Sequence, residues 1–476
     1  MHGIVLTQKP DDWQIFQQVE GKAGVCIKGK YKVIKDAIDV GVVSVHPIVR
    51  VVREDDNYMI IPWHEVETEE KISEYEGKFE TTLYIPEGGL YRIDTSLETK
   101  STLPNVTWLY RGDSVLHLGV GDIFIIAGQS NSSGYSRDFC PDAPHLCVHL
   151  FRNRGKWDLA THPMNDSTDA EGVANEEWGI PGTSPYLSFG KEYYKATGRP
   201  VGFIQTSLGG SPMKRWNPDV GDLYANMIDK INLTGRKYAG VLWYQGCSDT
   251  EPESATVYFD RFKYMVESLR KELGYDIPFF TMQLNRQING INDESWGMVR
   301  EAQRKAAMEI SGVYLMTTAN LQLSDGIHNS AMSNLVLGER LARQALSKLE
   351  NGDTFEPPFI EKVSEMTTDE KEEEKVDGSW IRLDYGNINN CIIMYSTLPE
   401  DSGFMLEDEE GKIEVLETKT NRSNKNKMYI KVSRIPKEFI DISYLWEANP
   451  KGIPFVDEVS FLPPVSMYKV RYKIDR

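Results

Sequence analysis

The stretch GDIFIIAGQSN, residues 121–131, decides how the rest of the chain is read. Four apolar residues, Ile123 to Ile126, run into Ala127, Gly128, an amide, a hydroxyl and a second amide. An unbroken apolar run that stops at a glycine reads as a strand buried on both faces, as in parallel sheets covered by helices. Such a strand presents Gln129, Ser130 and Asn131 at its C-terminal end, where open α/β sheets build their sites. Ser130 is then either a turn residue or a nucleophile.

Outward from this stretch, residues 119–350 keep the same texture. Apolar runs recur at PVGFIQT (200–206), AGVLWYQ (239–245), IPFFTMQL (277–284) and GVYLMTT (312–318). Helix-like stretches lie between them: YLSFGKEYYKAT, VYFDRFKYMVESLRKELG and MVREAQRKAAMEI. In the second of these Phe259, Phe262, Met265, Val266 and Leu269 recur at three- and four-residue steps, one apolar stripe that reads as core. Strands alternating with helices predict an α/β unit with a mostly parallel sheet covered on both faces.

The flanks differ. Residues 1–118 carry short alternating runs, such as HPIVRVV and NYMIIPW, and FETTLYIPEGGLYRIDTSLE (79–98) has a hairpin-like PEGG at its centre. A β-sandwich-like domain is expected there. LENGDTFEPPF (349–359) reads as a linker, and TTDEKEEEKVDG (367–378) as a solvated loop or hairpin. Alternating runs return in 360–476, which predicts a second β domain.

A chain of 476 residues is long enough for two or three domains. Its net charge, 53 − 71 = −18, argues against nucleic-acid or anionic-membrane partners. The start, MHGIVLTQKPDDWQIF, has no secretory pattern, and no run of 18 apolar residues suggests a membrane helix. Five scattered cysteines, at 26, 140, 147, 247 and 391, read as reduced thiols of a cytoplasmic protein, though Cys140 and Cys147 are close enough in sequence to cross-link. Neither H-E-x-x-H nor C-x-x-C occurs, so neither a metal nor another cofactor is called for.

The expected strand ends carry a set of polar residues. Ser130 follows the first strand; SLGGS (207–211), whose glycines let backbone N–H groups approach a ligand, follows the second. Gln245 ends the third. Asp325 and His328, three residues apart, follow the last. These are the parts of an acyl-transfer site: a serine nucleophile, a histidine base to take its proton, a carboxylate to hold the imidazole, and donors for the oxyanion. Each alone has a plainer reading as turn, loop or helix cap; their joint occurrence at strand ends points to a site.

The motifs GQSN (128–131), SLGGSPMKRW (207–216), WYQGCSD (243–249) and DGIHNS (325–330) resemble the successive blocks of SGNH/GDSL-type hydrolases, in particular the sialate O-acetylesterase-like carbohydrate acetylesterases. DISYLWEANPKGIPF (441–455) is similar to that group's C-terminal pattern. The resemblance implies a three-layer α/β/α catalytic domain with Ser130 as nucleophile, His328 as base and Asp325 as its partner. It implies an oxyanion hole formed by Ser130, Gly209 (or Gly210) and Gln245, with Gln129, Asn131, Gly210, Trp216 and Tyr244 beside the substrate. Three residues depart from the family pattern: Ser132 for Met, Ser211 for Thr, and Cys247 for Glu.

The implied activity is removal of acetyl groups from an acetylated mono- or oligosaccharide. Tyr135, Trp178, Trp216 and Tyr244 lie near the motifs as candidate stacking platforms, one or two of them expected to line the pocket and the others to be core. A non-catalytic carbohydrate-binding protein on the same fold, and an esterase or thioesterase for non-sugar acyl groups, are the competing readings. Oligomeric state is left open, a homo-oligomer included.

Overall fold

Alternating and unbroken apolar patterns meet in a single strand, Leu109–Gly128, twenty residues long. The structure, a computed structural model, describes residues 2–103, 106–167, 172–179, 181–368, 375–421 and 423–476. The first half of the long strand pairs antiparallel with Gly88–Ser101, Val115 opposite Ile93. Its second half lies parallel to Val201–Gln205 on one side, Ile125 opposite Ile204, and to Gly240–Tyr244 on the other, Ile126 opposite Leu242. The change of texture expected between 118 and 119 therefore falls inside one strand. The ladder is made by backbone groups and does not break where the side-chain pattern changes; what changes is that a second face becomes covered.

The resulting sheet has eleven strands. Its central path runs Trp157–Leu159, Val148–Phe151, Val201–Gln205, Leu109–Gly128, Gly240–Tyr244, Phe279–Met282, Val313–Met316, parallel throughout except at the first pair. Elsewhere among the described residues antiparallel pairing prevails, so the expectation of a mostly parallel sheet describes this path and not the molecule. One face packs Ile125, Val241 and Phe279 against Phe262, Met265, Val266 and Leu269 of the helix Tyr258–Leu273. The expected apolar stripe is core. The other face packs Phe124, Leu242 and Phe280 against the helices Tyr186–Thr197 and Ala331–Leu349. Each such side chain removed from water contributes on the order of 1.5–3 kcal/mol.

In the N-terminal part, the four-stranded sheet and the antiparallel strands of the large one share a core that includes Val25, Ile27, Leu83, Val49, Ile93 and Leu97. The PEGG signal is not a hairpin. Glu76–Pro86 pairs with Lys22–Lys32, and Gly88–Ser101 with Val42–Arg53, so the chain turns a corner from one layer to the other. Gly88 and Gly89, at φ +123° and +146°, supply the backbone for that corner, and the alternation on both sides is the same for a corner as for a hairpin. Residues 369–374 of the acidic stretch lie outside the described residues; the strands Phe359–Thr368 and Lys375–Gly386 around it pair antiparallel. They belong to an eight-stranded C-terminal sheet.

That C-terminal unit is stitched to the central one by backbone acceptors. Arg300, buried in the helix Asp293–Glu309, donates from Nε to Leu284 O (3.0 Å), from Nη2 to Asn285 O (2.7 Å), and from Nη1 to Leu445 O (2.8 Å) and Glu447 O (2.5 Å). The stretch 441–455 singled out in the sequence is thus a docking segment.

A second buried cation supports the loop after Val201–Gln205. Lys230, on the helix Asp222–Thr234, donates from Nζ to Gln205 O (2.6 Å), Asn153 Oδ1 (2.6 Å) and Asn175 Oδ1 (3.0 Å). Burial draws this ammonium down to about 7. Lys230→Met removes all three bonds, leaving Asn153 Oδ1 with Asn175 Nδ2 and Asn175 Oδ1 with Asn226 Nδ2, and is expected to cost on the order of 3 kcal/mol in urea unfolding at neutral pH. Because the unfolded chain keeps the lysine proton to about pH 10, wild-type stability relative to the variant rises from pH 7 upward, by up to about 1.4 kcal/mol per unit. A pH-independent gap would show that the ammonium stays charged.

Candidate active site

The turn that carries Ser130 follows from one close approach. At the end of the long strand Gly128 takes φ +130°, and a Cβ there would lie 2.3 Å from Tyr244 O. Only glycine lets the two strand ends pass at this distance. Gln129 N–H then donates to Tyr244 O (2.9 Å), and the chain enters the short helix Ser130–Ser133. As the first helical residue, Ser130 has an N–H with no intrahelical acceptor. Ser130 is 8% exposed, and its Oγ has no hydrogen-bond partner among the described residues.

Asp325 organises its own turn. Its Oδ1 accepts from the N–H groups of Ile327 (2.8 Å) and His328 (2.7 Å), and its Oδ2 from His328 Nδ1 (2.7 Å). Burial works to raise the Asp325 carboxyl, but these hydrogen bonds outweigh it and hold the group below the usual carboxylate range. With Nδ1 on the carboxylate, Nε2 is the free nitrogen of His328. Asn131 fastens this turn to the helix Ser130–Ser133: its Oδ1 accepts from Asn329 N–H (3.0 Å) and its Nδ2 donates to Ile327 O (3.3 Å). Ser130 and His328 are thereby carried by neighbouring residues of one clamp, although no hydrogen bond joins Ser130 Oγ to the imidazole.

Several expected substrate contacts are instead scaffold. Asn131, 2% exposed, has both ends of its amide engaged in the clamp. Gln129 Oε1 accepts from the N–H groups of Gly246 (2.9 Å) and Ser248 (3.2 Å). Trp216 and Tyr244 are core residues, Trp216 edge-to-face on Trp243. Gly210 is an exposed turn residue at φ +66°. Gln245 corrects the expected oxyanion hole. It is fully buried, and its Nε2 donates to Asp249 Oδ2 (2.6 Å) and Ser211 O (3.1 Å), so neither N–H is presented to a substrate. The strand ends one residue too deep for that, and Gln245 positions the 207–211 loop.

Gly209 N–H is engaged in a different way. It donates to Glu177 Oε1 (2.9 Å), which also accepts from Asn165 Nδ2 (2.8 Å). Glu177 Oε2 accepts from Tyr135 O–H (2.6 Å), and the Tyr135 ring stacks on His328 at 5.3 Å. Trp178, next along, is 99% exposed. A carboxylate therefore sits on the N–H that the sequence reading assigns to an oxyanion, and Tyr135 links that carboxylate to the His328 ring. Neither Glu177 nor Asn165 was legible beforehand, because their segment carries no strand or helix pattern that would place it.

The departures from the family pattern have local explanations. Ser132 Oγ donates to Ala127 O (3.0 Å) and pairs with Tyr186 O–H (2.5 Å), while Ser211 Oγ donates to Gly128 O (3.3 Å). Burial pushes the Cys247 thiol up to about 12, which removes it as a nucleophile at neutral pH. None of the five cysteines is joined in a disulfide.

Residues 120–347 match the family model described as carbohydrate esterase, sialic acid-specific acetylesterase. No functionally curated protein matches the sequence. Among solved structures, a carbohydrate acetylesterase from Xanthomonas citri superimposes with a TM-score of 0.63 at 18% identity, over 98% of this chain and 99% of that one. That likeness is one of fold, and it extends through both flanking units. A protein from Arabidopsis thaliana matches at 24% identity and a TM-score of 0.42, over 48% of this chain and 98% of its own. The family match falls on the segment that holds the Ser130 turn and the Asp325–His328 pair, so the central unit of this chain is similar to the sialic acid-specific acetylesterase group of carbohydrate esterases.

Proposed function

We propose that this protein is a carbohydrate O-acetylesterase that removes acetyl groups from acetylated sugars or oligosaccharides through a Ser130, His328, Asp325 acyl-enzyme mechanism. The observation that carries it is the clamp of Asn131 on the 327–329 turn, which brings an imidazole with its Nδ1 on a carboxylate beside the nucleophile helix. The family match over residues 120–347 supports the ester-hydrolase class, and the description of that family supports a sugar ester.

In this reading Ser130 Oγ attacks the acetyl carbonyl carbon as its proton passes to His328 Nε2, and Asp325 stabilises the imidazolium. The oxyanion is received by the N–H groups of Ser130 and Gly209, the latter released by Glu177 as substrate enters. Collapse breaks the ester C–O bond, and the sugar oxygen leaves with the proton from His328. Water, deprotonated by His328, then releases acetate. The catalytic unit is a three-layer α/β/α core, with sandwich-like units on either side that shape access to it, and cysteines not joined in disulfides fit a reducing, cytoplasmic setting.

Ser130→Ala is expected to lower acetate release from acetylated xylo- or manno-oligosaccharides, O-acetyl sialic acid or a chromogenic acetate ester by about 10,000-fold or more, with unchanged circular dichroism. Asp325→Asn is expected to cost about 100- to 10,000-fold in kcat, because the amide no longer favours the productive tautomer. Full activity in Ser130→Ala would assign the nucleophile elsewhere. Inactivity of folded wild type on the whole panel would favour a binding protein.

Glu177→Ala is expected to raise kcat/KM on the chromogenic ester by roughly tenfold, the worth of one charge-assisted hydrogen bond that substrate no longer displaces. A fall of similar size would make Glu177 a positioning residue for the Gly209 loop.

A further inference from the structure

The outer face of the N-terminal antiparallel layer carries a groove of about 570 Å³, well away from the candidate active site. Strand alternation builds it. On Val42–Arg53, Val49 and Val51 point into the core and Arg50 points out; on Gly88–Ser101, Ile93 and Leu97 are core while Arg92 and Asp94 face the groove. Arg50, Asp94 and Ser114 are direct cross-strand partners in register. The long strand adds Arg111, and Met59–Glu65 adds Trp63 at the rim.

The charges in this groove do not balance. Asp94 is its one carboxylate, and its two oxygens accept from Arg50 Nε (2.9 Å) and Nη2 (2.8 Å), Arg92 Nε (2.9 Å) and Ser114 Oγ (3.1 Å). That carboxylate neutralises one guanidinium of three. Arg111 is exposed and has neither an ion pair nor a side-chain hydrogen bond among the described residues. In a chain of net charge −18, a concave surface with two uncompensated guanidinium charges stands against the prevailing field. Guanidinium N–H groups left over in a cleft are suited to planar carboxylates. The half-buried Trp63 indole, with Arg50 stacked 4.7 Å from its centroid, adds a flat apolar wall.

We infer that this groove is a binding site for a carboxylated sugar, a uronic-acid residue of an oligosaccharide, whose carboxylate is received by Arg92 and Arg111 and whose C–H face lies along Trp63. A bare inorganic anion would use the arginines and leave the indole idle; a neutral sugar would leave the charge uncompensated. Arg111 and Gly128 are on one strand and 17 residues apart, on the order of 50 Å along it, so the groove does not hold the sugar whose ester is cleaved. It anchors a distant part of the same glycan or a separate acidic one.

The test is calorimetric titration of the full-length protein with non-acetylated tri-galacturonate, a neutral trisaccharide and sodium sulfate at matched ionic strength. Wild type is expected to bind tri-galacturonate at least tenfold more tightly than either of the others. Arg111→Ala and Trp63→Ala are each expected to weaken that binding about tenfold or more, and Arg111→Lys to restore part of it. Activity of Arg111→Ala on a small chromogenic acetate ester is expected to stay at the wild-type level, so failure of the groove and failure of the esterase reading are separate results. The inference is overturned if tri-galacturonate shows no saturable binding or if Arg111→Ala binds it as wild type does. It is also overturned if sulfate binds as tightly and independently of Trp63, which would leave only an anion site.

Discussion

The passage of Gly128 against the backbone of Tyr244 is the contact on which the rest of the site depends. A methyl group at that position would overlap Tyr244 O, so any other residue would push two central strands apart. Because they stay together, the backbone of Gln129 hydrogen-bonds to Tyr244 O, the chain turns into the Ser130 helix, and the carbonyl of Gly128 is left to receive Leu208 N–H (3.1 Å) and Ser211 Oγ. One close approach thus sets Ser130, the loop carrying Gly209 and the end of the third strand relative to one another.

Around that contact the polar residues divide into those that hold the frame and those that face the opening. Gln129, Asn131 and Gln245 are nearly or fully buried, and their amides bind backbone groups or a buried carboxylate. The buried cations follow the same logic. Lys230 and Arg300 have oxygen acceptors from amides and carbonyls, not carboxylates, which satisfies their donors without a second charge to desolvate. What remains toward solvent is Asp325, His328, Tyr135, Glu177 and Trp178. Among these, the carboxylate of Glu177 accepts from Gly209 N–H, so this donor is already engaged by an oxygen of a charged group.

The central sheet was legible because a strand buried on both faces has few alternatives to an unbroken apolar sequence. All five runs picked out in 119–350 contain strands of the sheet, and the helix Tyr258–Leu273 is within one residue of its expected bounds. The Asp325 and His328 pair was legible because a three-residue spacing lets one turn close on itself. PEGG misled, since paired glycines permit a hairpin or a corner and local sequence does not say which partner each strand will take. Gln245 misled for a related reason: it lies one residue beyond the strand's assigned end, and whether a side chain there meets substrate or Asp249 depends on burial depth.

By itself the sequence determined which parts of the proposed chemistry this protein carries, because a serine, a histidine and a carboxylate are given by residue type, short spacing and position after apolar runs, all of which are local. The tertiary structure decided which amides are frame and which donors face the opening, how far one strand continues through two units, and that Glu177 sits on Gly209. These depend on contacts between residues far apart in the chain, and a linear pattern records the propensity of each segment but not the partner that buries it.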